Sequence, residues 1–146
     1  MGQSNPARSN GSAIAPQPDD QLLADLCPDL GEWPQRWCFE DQDVAFGRDL
    51  LESLTPFLRH LLCSGLSRKT LARHRDHLRM LGSELVRRLH DEPRLRKQSP
   101  ATVLRHYLDD EGGPLIYPSI TEAQQRAFDA TCRKLNRFLG EIRAAE

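Results

Sequence analysis

Three residue patterns in this chain are suited to chemistry: histidines and cysteines at helical spacing, a run of acids beside a glycine pair, and a long series of arginines and lysines. His74 and His77 stand three positions apart, as do His60 and Cys63, so on a helix each pair would share a face. A structural zinc site needs four ligands at recognisable spacing, and nothing supplies the other two, so we expect no metal. Cys27, Cys38, Cys63 and Cys132 form no CxxC pair and read as small buried hydrophobes. Asp109, Asp110 and Glu111 are adjacent, so their side chains fan out rather than converge as paired catalytic carboxylates must. The sequence holds no GxSxG elbow, no cysteine-nucleophile signature and no glycine-rich phosphate loop. The expectation is a protein that is not an enzyme, with no cofactor and no small-molecule substrate.

The basic series remains. The formal net charge of −1 is an average over unlike parts. Residues 1–56 hold ten acids and three bases, a net −7. Residues 57–105 hold four acids and twelve bases, a net +8, and residues 106–146 come to −2. Arginine and lysine on a helix neutralise phosphates and release counterions, the basis of salt-dependent nucleic-acid binding. Arg68, Lys69, Arg73, Arg75, Arg79, Arg87 and Arg88 are the candidates, with Ser67 at the helix start and Arg94, Arg96 and Lys97 just beyond. The alternative is that the acidic and basic parts pair with each other in the fold. A second candidate surface is Trp33, Trp37 and Phe39, the densest aromatic cluster. These rings either pin the N-terminal segment onto the body or dock a protein partner.

The elements that must position these residues are helices. No segment sustains period-two alternation. Residues 1–18 are rich in Ser, Asn, Gly, Gln and Pro and read as a disordered tail. Residues 19–44 form an acidic and aromatic segment packed on the body, with a short helix at 20–27 and a loop or single turn around Trp33–Trp37. Asp43 is a plausible N-cap for a helix to Cys63, which either kinks or splits at Pro56. Gly65 stops it, and Ser67 caps a helix to about His90 with Leu71, His74, Leu78, Leu81, Leu85 and Leu89 inward. Ser99-Pro100 opens a short helix whose end meets three acids, an arrangement opposed to the helix dipole. Leu115, Ile116 and Tyr117 should tuck over the core. Thr121 and Gln124 make a capping box for a last helix to about Arg143. The fold class is therefore all-α: four main helices over residues 45–143 in an orthogonal or bundle-like domain.

The stretch 54–89, with Phe57-Leu58, Gly65-Leu66-Ser67, Thr70-Leu71, Leu78 and Leu81, resembles the N-terminal core-binding (SAM-like) domain of tyrosine recombinases of the phage-integrase type. The resemblance implies a four-helix domain that clamps double-stranded DNA, with contacts along Ser67–Arg79. The catalytic domain of that family, with its tyrosine nucleophile, has no counterpart here, so no recombinase activity is implied. The chain is also similar to proteins encoded beside mobile elements in proteobacteria. No apolar run approaches the roughly 18–20 residues that span a membrane. Met1–Gln17 has one arginine and no apolar core, so no secretory signal is read there and the expected location is cytoplasmic. The expected function is a non-catalytic DNA-binding or recombination-accessory domain. The alternative is a protein-interaction module that self-associates or holds a protein partner.

Overall fold

The computed structural model describes residues 18–145, all-helical with one isolated bridge between Asp109 and Gly112. The tail reading over residues 1–18 falls outside the described residues except for Pro18. Six α-helices follow in order: α1 (Pro18–Leu26), α2 (Trp33–Trp37), α3 (Gln42–Leu62), α4 (Arg68–Asp91), α5 (Pro100–Tyr107) and α6 (Glu122–Ala145). Short 3-10 turns at Leu30–Glu32 and Pro93–Lys97 lead into α2 and α5.

Helix α3 is the hub, in contact with α1, α2, α4 and α5, while α6 packs along α4. The core is built on leucine: Leu50, Leu54 and Leu58 of α3 share one buried cluster with Leu78, Leu81 and Leu85 of α4, all at most 1% exposed. Phe128 and Leu135 of α6 and Val103 and Leu104 of α5 complete it. Each such side chain contributes about 1.5–3 kcal/mol through burial.

Helix α3 neither splits nor ends at Pro56. Proline lacks an N–H, so one intrahelical bond is missing there; Thr55 Oγ1 donates to the Leu51 carbonyl at 2.8 Å one turn back. Asp43 is not the residue before α3 but lies inside its first turn and is 1% exposed. Its Oδ2 accepts from the backbone N–H groups of Phe39 and Glu40, at 3.2 and 3.0 Å. It thus fixes the approach to α3 rather than capping its start. Ser67 does cap α4, its Oγ accepting from Thr70 N at 3.2 Å, and Ser99 caps α5 in the same way. The Thr121–Gln124 capping box is closed by both reciprocal bonds.

Trp33 and Trp37 are 0% and 4% exposed. The Trp37 indole lies flat against α4, where Nε1 donates to the Arg79 carbonyl at 3.0 Å. Gly82 makes this approach possible, because any Cβ there would fall inside the Trp37 ring. The aromatic segment is therefore part of the core, and the expected loop is a 3-10 turn followed by one short helix.

Candidate functional site

Most of the arginines expected to face a phosphate are held by carboxylates instead. Arg75 Nε donates to Asp76 Oδ1 at 2.9 Å, and its Nη1 reaches the Leu26 carbonyl at 3.0 Å. Arg79 takes the same Asp76 oxygen at 2.9 Å and lies 3.6 Å from Asp29. Arg87 pairs with Glu84 and Asp91, and Arg88 with Glu84 at 2.7 Å. Arg88 also donates to the Leu115 carbonyl and covers the Tyr107 ring at 4.9 Å. Burial alone would raise the Glu84 carboxyl, but hydrogen bonds from Arg87 and Arg88 outweigh it and hold the group below the ordinary glutamate value. Arg94 pairs with Glu92, and Arg96 binds Asp43 and Glu40 across the fold. The acidic N-terminal third thus neutralises part of the basic middle through Asp29, Glu40 and Asp43.

Three members of the series differ. Arg68, Lys69 and Arg73 are exposed, and among the described residues no carboxylate lies within ion-pair distance of them. The first turn of α4 contains no acid, so Arg68 and Lys69 stand against the helix dipole with nothing local to offset them. Lys134 and Arg137 of α6, absent from the sequence-based candidates, also lack a carboxylate and flank this end of α4. A groove between α4 and α6 is lined by Lys69 and Arg73, with Asp76 and His77 below them. A second groove, between α3, the turn that follows it and α6, is lined by Lys134, Arg137 and His60. The other cations without an ion pair among the described residues are dispersed. Lys97 shares a groove with Asp43 and Asp49, Arg126 stands beside Glu122, Arg105 and Arg143 line a separate groove, Arg48 is exposed on α3, and Arg133 donates to the Glu111 carbonyl.

A buried polar chain joins the two cationic grooves. Thr131 Oγ1 lies 2.7 Å from Nδ1 of His74 and 2.7 Å from Nδ1 of His77. Lys134 Nζ lies 3.4 Å from His74 Nε2. An ammonium only donates, so His74 Nε2 accepts and the single proton of neutral His74 sits on Nδ1. That N–H donates to Thr131, whose hydroxyl proton then goes to His77 Nδ1, leaving the His77 proton on Nε2. The direction of every bond follows from Lys134. Burial first, then the positive charge of Lys134 and coupling to His77 and Arg73, lowers His74 from 6.5 to about 4. His77 is lowered as well, by burial and by Arg73, with Asp76 opposing. Both imidazoles are therefore neutral near pH 7, and they act as a hydrogen-bonded seam between α4 and α6. No set of three or more potential metal ligands converges among the described residues.

Other sequence expectations sort out in the same way. Trp33 and Trp37 have no surface to offer a partner, because both rings are used in the core. Phe39 is 58% exposed and stacks on His90 at 5.3 Å, so it alone of the three keeps an open face. The acids after α5 do not strain its end: the helix stops at Tyr107, and the Asp109 carboxylate closes a turn by accepting from Glu111 and Gly112 N–H. Only Ile116 of the apolar loop turns inward; Leu115 is 65% and Tyr117 43% exposed. Gln125 holds that loop, accepting from Ile116 N and Tyr117 N and donating to the Pro114 carbonyl. Cys27 and Cys132 are buried as expected, whereas Cys63 is exposed and Cys38 half-buried.

Compared with protein-family models, with curated proteins and with solved structures, the chain finds no match in any of the three.

Proposed function

We propose that this is a non-catalytic DNA-binding domain that holds the phosphate backbone of a duplex at the α3–α4 end of the bundle. One observation carries the reading: among the described residues, cations without carboxylate partners lie on two packed helices, Lys69 and Arg73 in the groove between α4 and α6, Lys134 and Arg137 in the groove beside the α3–α4 turn, and Arg68 exposed at the start of α4. The start of α4 adds its own partial positive charge to that surface. The resemblance to recombinase core-binding domains points to the same turn and helix, and it makes a recombination-accessory role the natural setting. The contact set is smaller than the sequence alone suggests, since Arg75, Arg79, Arg87 and Arg88 are engaged elsewhere.

Fluorescence anisotropy with a labelled duplex at low salt tests this reading. Binding should weaken as salt rises, with a log–log slope of about −0.9 per phosphate neutralised. The double substitution Lys69→Glu with Arg73→Glu should lower affinity at least tenfold, at about 1.4 kcal/mol per factor of ten. A protein that does not bind at low salt, or binds equally well after that double substitution, would sink the proposal.

A second reading, a protein-interaction module, rests on a different place from the tryptophans. Leu115 and Tyr117 present apolar surface beside Glu122, Gln125 and Arg126. Self-association through that loop would show in light scattering as a dimer that Leu115→Ser with Tyr117→Ser dissolves. A protein that is monomeric at all concentrations and captures no partner counts against it.

A further inference from the structure

The groove between α3, the turn that follows it and α6 combines two kinds of surface, aromatic and cationic. Its volume is about 220 Å³. Phe57 and Phe138 meet with ring centroids 5.4 Å apart, and the exposed His60 ring stands 4.9 Å from Phe138 and 6.4 Å from Phe57. Phe57 is buried beneath, so the open aromatic wall belongs to His60 and the half-buried Phe138. Lys134 and Arg137, one turn apart on α6, line the same groove. Lys134 is oriented by its contact with His74, and Arg137 is exposed without a carboxylate. Glu141, one turn beyond Arg137 on α6, also lines the groove, so the place for negative charge is at Lys134 and Arg137.

A planar ring stacked on the wall with an anion beside it satisfies both surfaces at once. A simple phosphate would leave the rings unused, and an acidic peptide offers charge without a flat apolar face. A nucleotide offers both, since every base has a π-face and every linkage a phosphate. Leu66, one residue before the cap of α4, also lines the groove, which therefore opens beside the turn that leads into α4.

We propose that this groove holds one unpaired nucleotide, its base stacked on His60 and Phe138 and its phosphate between Lys134 and Arg137. The inference rests on the reading of the α3–α4 end as a phosphate-binding surface and deepens it. A base inside an intact duplex has no free face, so the groove selects duplexes that carry a single-stranded overhang, a gap or a bulge.

The test compares a blunt duplex with the same duplex bearing a short single-stranded overhang, both by anisotropy. The overhang should raise affinity about tenfold, within the range of one base stacked on an aromatic side chain. His60→Ala, at an exposed ring, and Phe138→Leu, which keeps bulk in a half-buried site, should each reduce that advantage to about twofold or less. Blunt-duplex affinity should stay unchanged in both variants, and a circular-dichroism melt identifies either one that fails to fold. If blunt and overhang duplexes bind the parent protein equally, or the advantage survives both substitutions, the groove inference is overturned while the phosphate surface stands. If neither duplex binds at low salt, both fall together.

Discussion

Between Arg75 and Arg88, α4 carries four arginines and each lies on a carboxylate; between Arg68 and Arg73 it carries three cations, and among the described residues none has a carboxylate partner. Residue type is nearly the same at the two ends, so the difference lies in what stands one helical turn away. Glu84 precedes Arg87 and Arg88 by three and four positions, and Asp91 follows Arg87 by four, the spacings at which helical side chains meet. Asp76 stands three residues after Arg73 as well as three before Arg79, but its Oδ1 is taken by Arg75 and Arg79. Asp29 draws Arg79 further toward the N-terminal segment. Arg73 is left on the opposite flank, beside Lys69. A count of positive charges would rank the two ends alike, whereas only the first has cations available for an outside anion.

The largest expected effect comes from removing a base whose partner is buried. The Asp43 side chain is fully buried against Arg96, so Arg96→Ala should cost about 3 kcal/mol in urea unfolding, the low end for a broken buried pair. Burial pushes the Asp43 carboxyl up, but backbone N–H groups and Arg96 more than offset this and hold it below 3.8. A depressed carboxyl stabilises the fold above its ordinary value and loses that contribution as pH falls. The gap between parent and Arg96→Ala should therefore narrow in acid. The test fails if the gap is constant down to pH 3, roughly a unit below the ordinary carboxylate range.

His74 marks the boundary between the two ends, and its titration gives the next effect. The unfolded imidazole takes a proton near 6.5 and the folded one only near about 4, so stability is full above 6.5 and falls as pH drops between those values. The loss should reach about 3 kcal/mol at 1.36 kcal/mol per pKa unit, and His74→Gln should flatten the curve over that window. A parent protein equally stable at both ends of the window would contradict the seam.

Glu84→Gln sharpens the comparison by removing one carboxylate from the paired end. Losing the charge-assisted bonds should cost about 2 kcal/mol. Arg88 then has no carboxylate and Arg87 keeps only Asp91, so duplex affinity should rise and its salt dependence steepen by up to about 0.9 for the added contact. Unchanged binding would mean that pairing is not what separates the two ends. The smallest effect on stability belongs to Lys69→Glu with Arg73→Glu, which should shift unfolding by no more than about 0.5 kcal/mol because no internal partner is lost.

Local rules in the sequence carried much of this structure. Ser67, Ser99 and the Thr121–Gln124 pair read correctly as caps because each uses neighbours within one turn. The leucine stripe of α4 read correctly because periodicity is a property of the segment alone. Contacts across the fold were not legible in the same way. That Asp43 meets Arg96, that Trp37 fits over Gly82 and that Thr131 joins His74 to His77 depends on separations of 45–57 residues. The candidate site shows the same division. Arg68, Lys69 and Arg73 were visible as charges, whereas Lys134 and Arg137 belong to a helix whose approach to α4 the sequence does not specify. Their spacing of three on α6, on the side of His74, is the only signal that could have marked them.

Trp33 and Trp37 are the only tryptophans in the chain, and both are buried between the N-terminal segment and the helical body. Intrinsic fluorescence therefore reports a single event, the docking of that segment, while circular dichroism reports the long helices. If the Trp37 seat on Gly82 is lost only when the whole core opens, the two signals will follow one transition on denaturation. If the segment lifts first, emission will shift to the red while helicity holds, so the protein carries its own optical probe of whether its N-terminal clasp and its bundle behave as one cooperative unit.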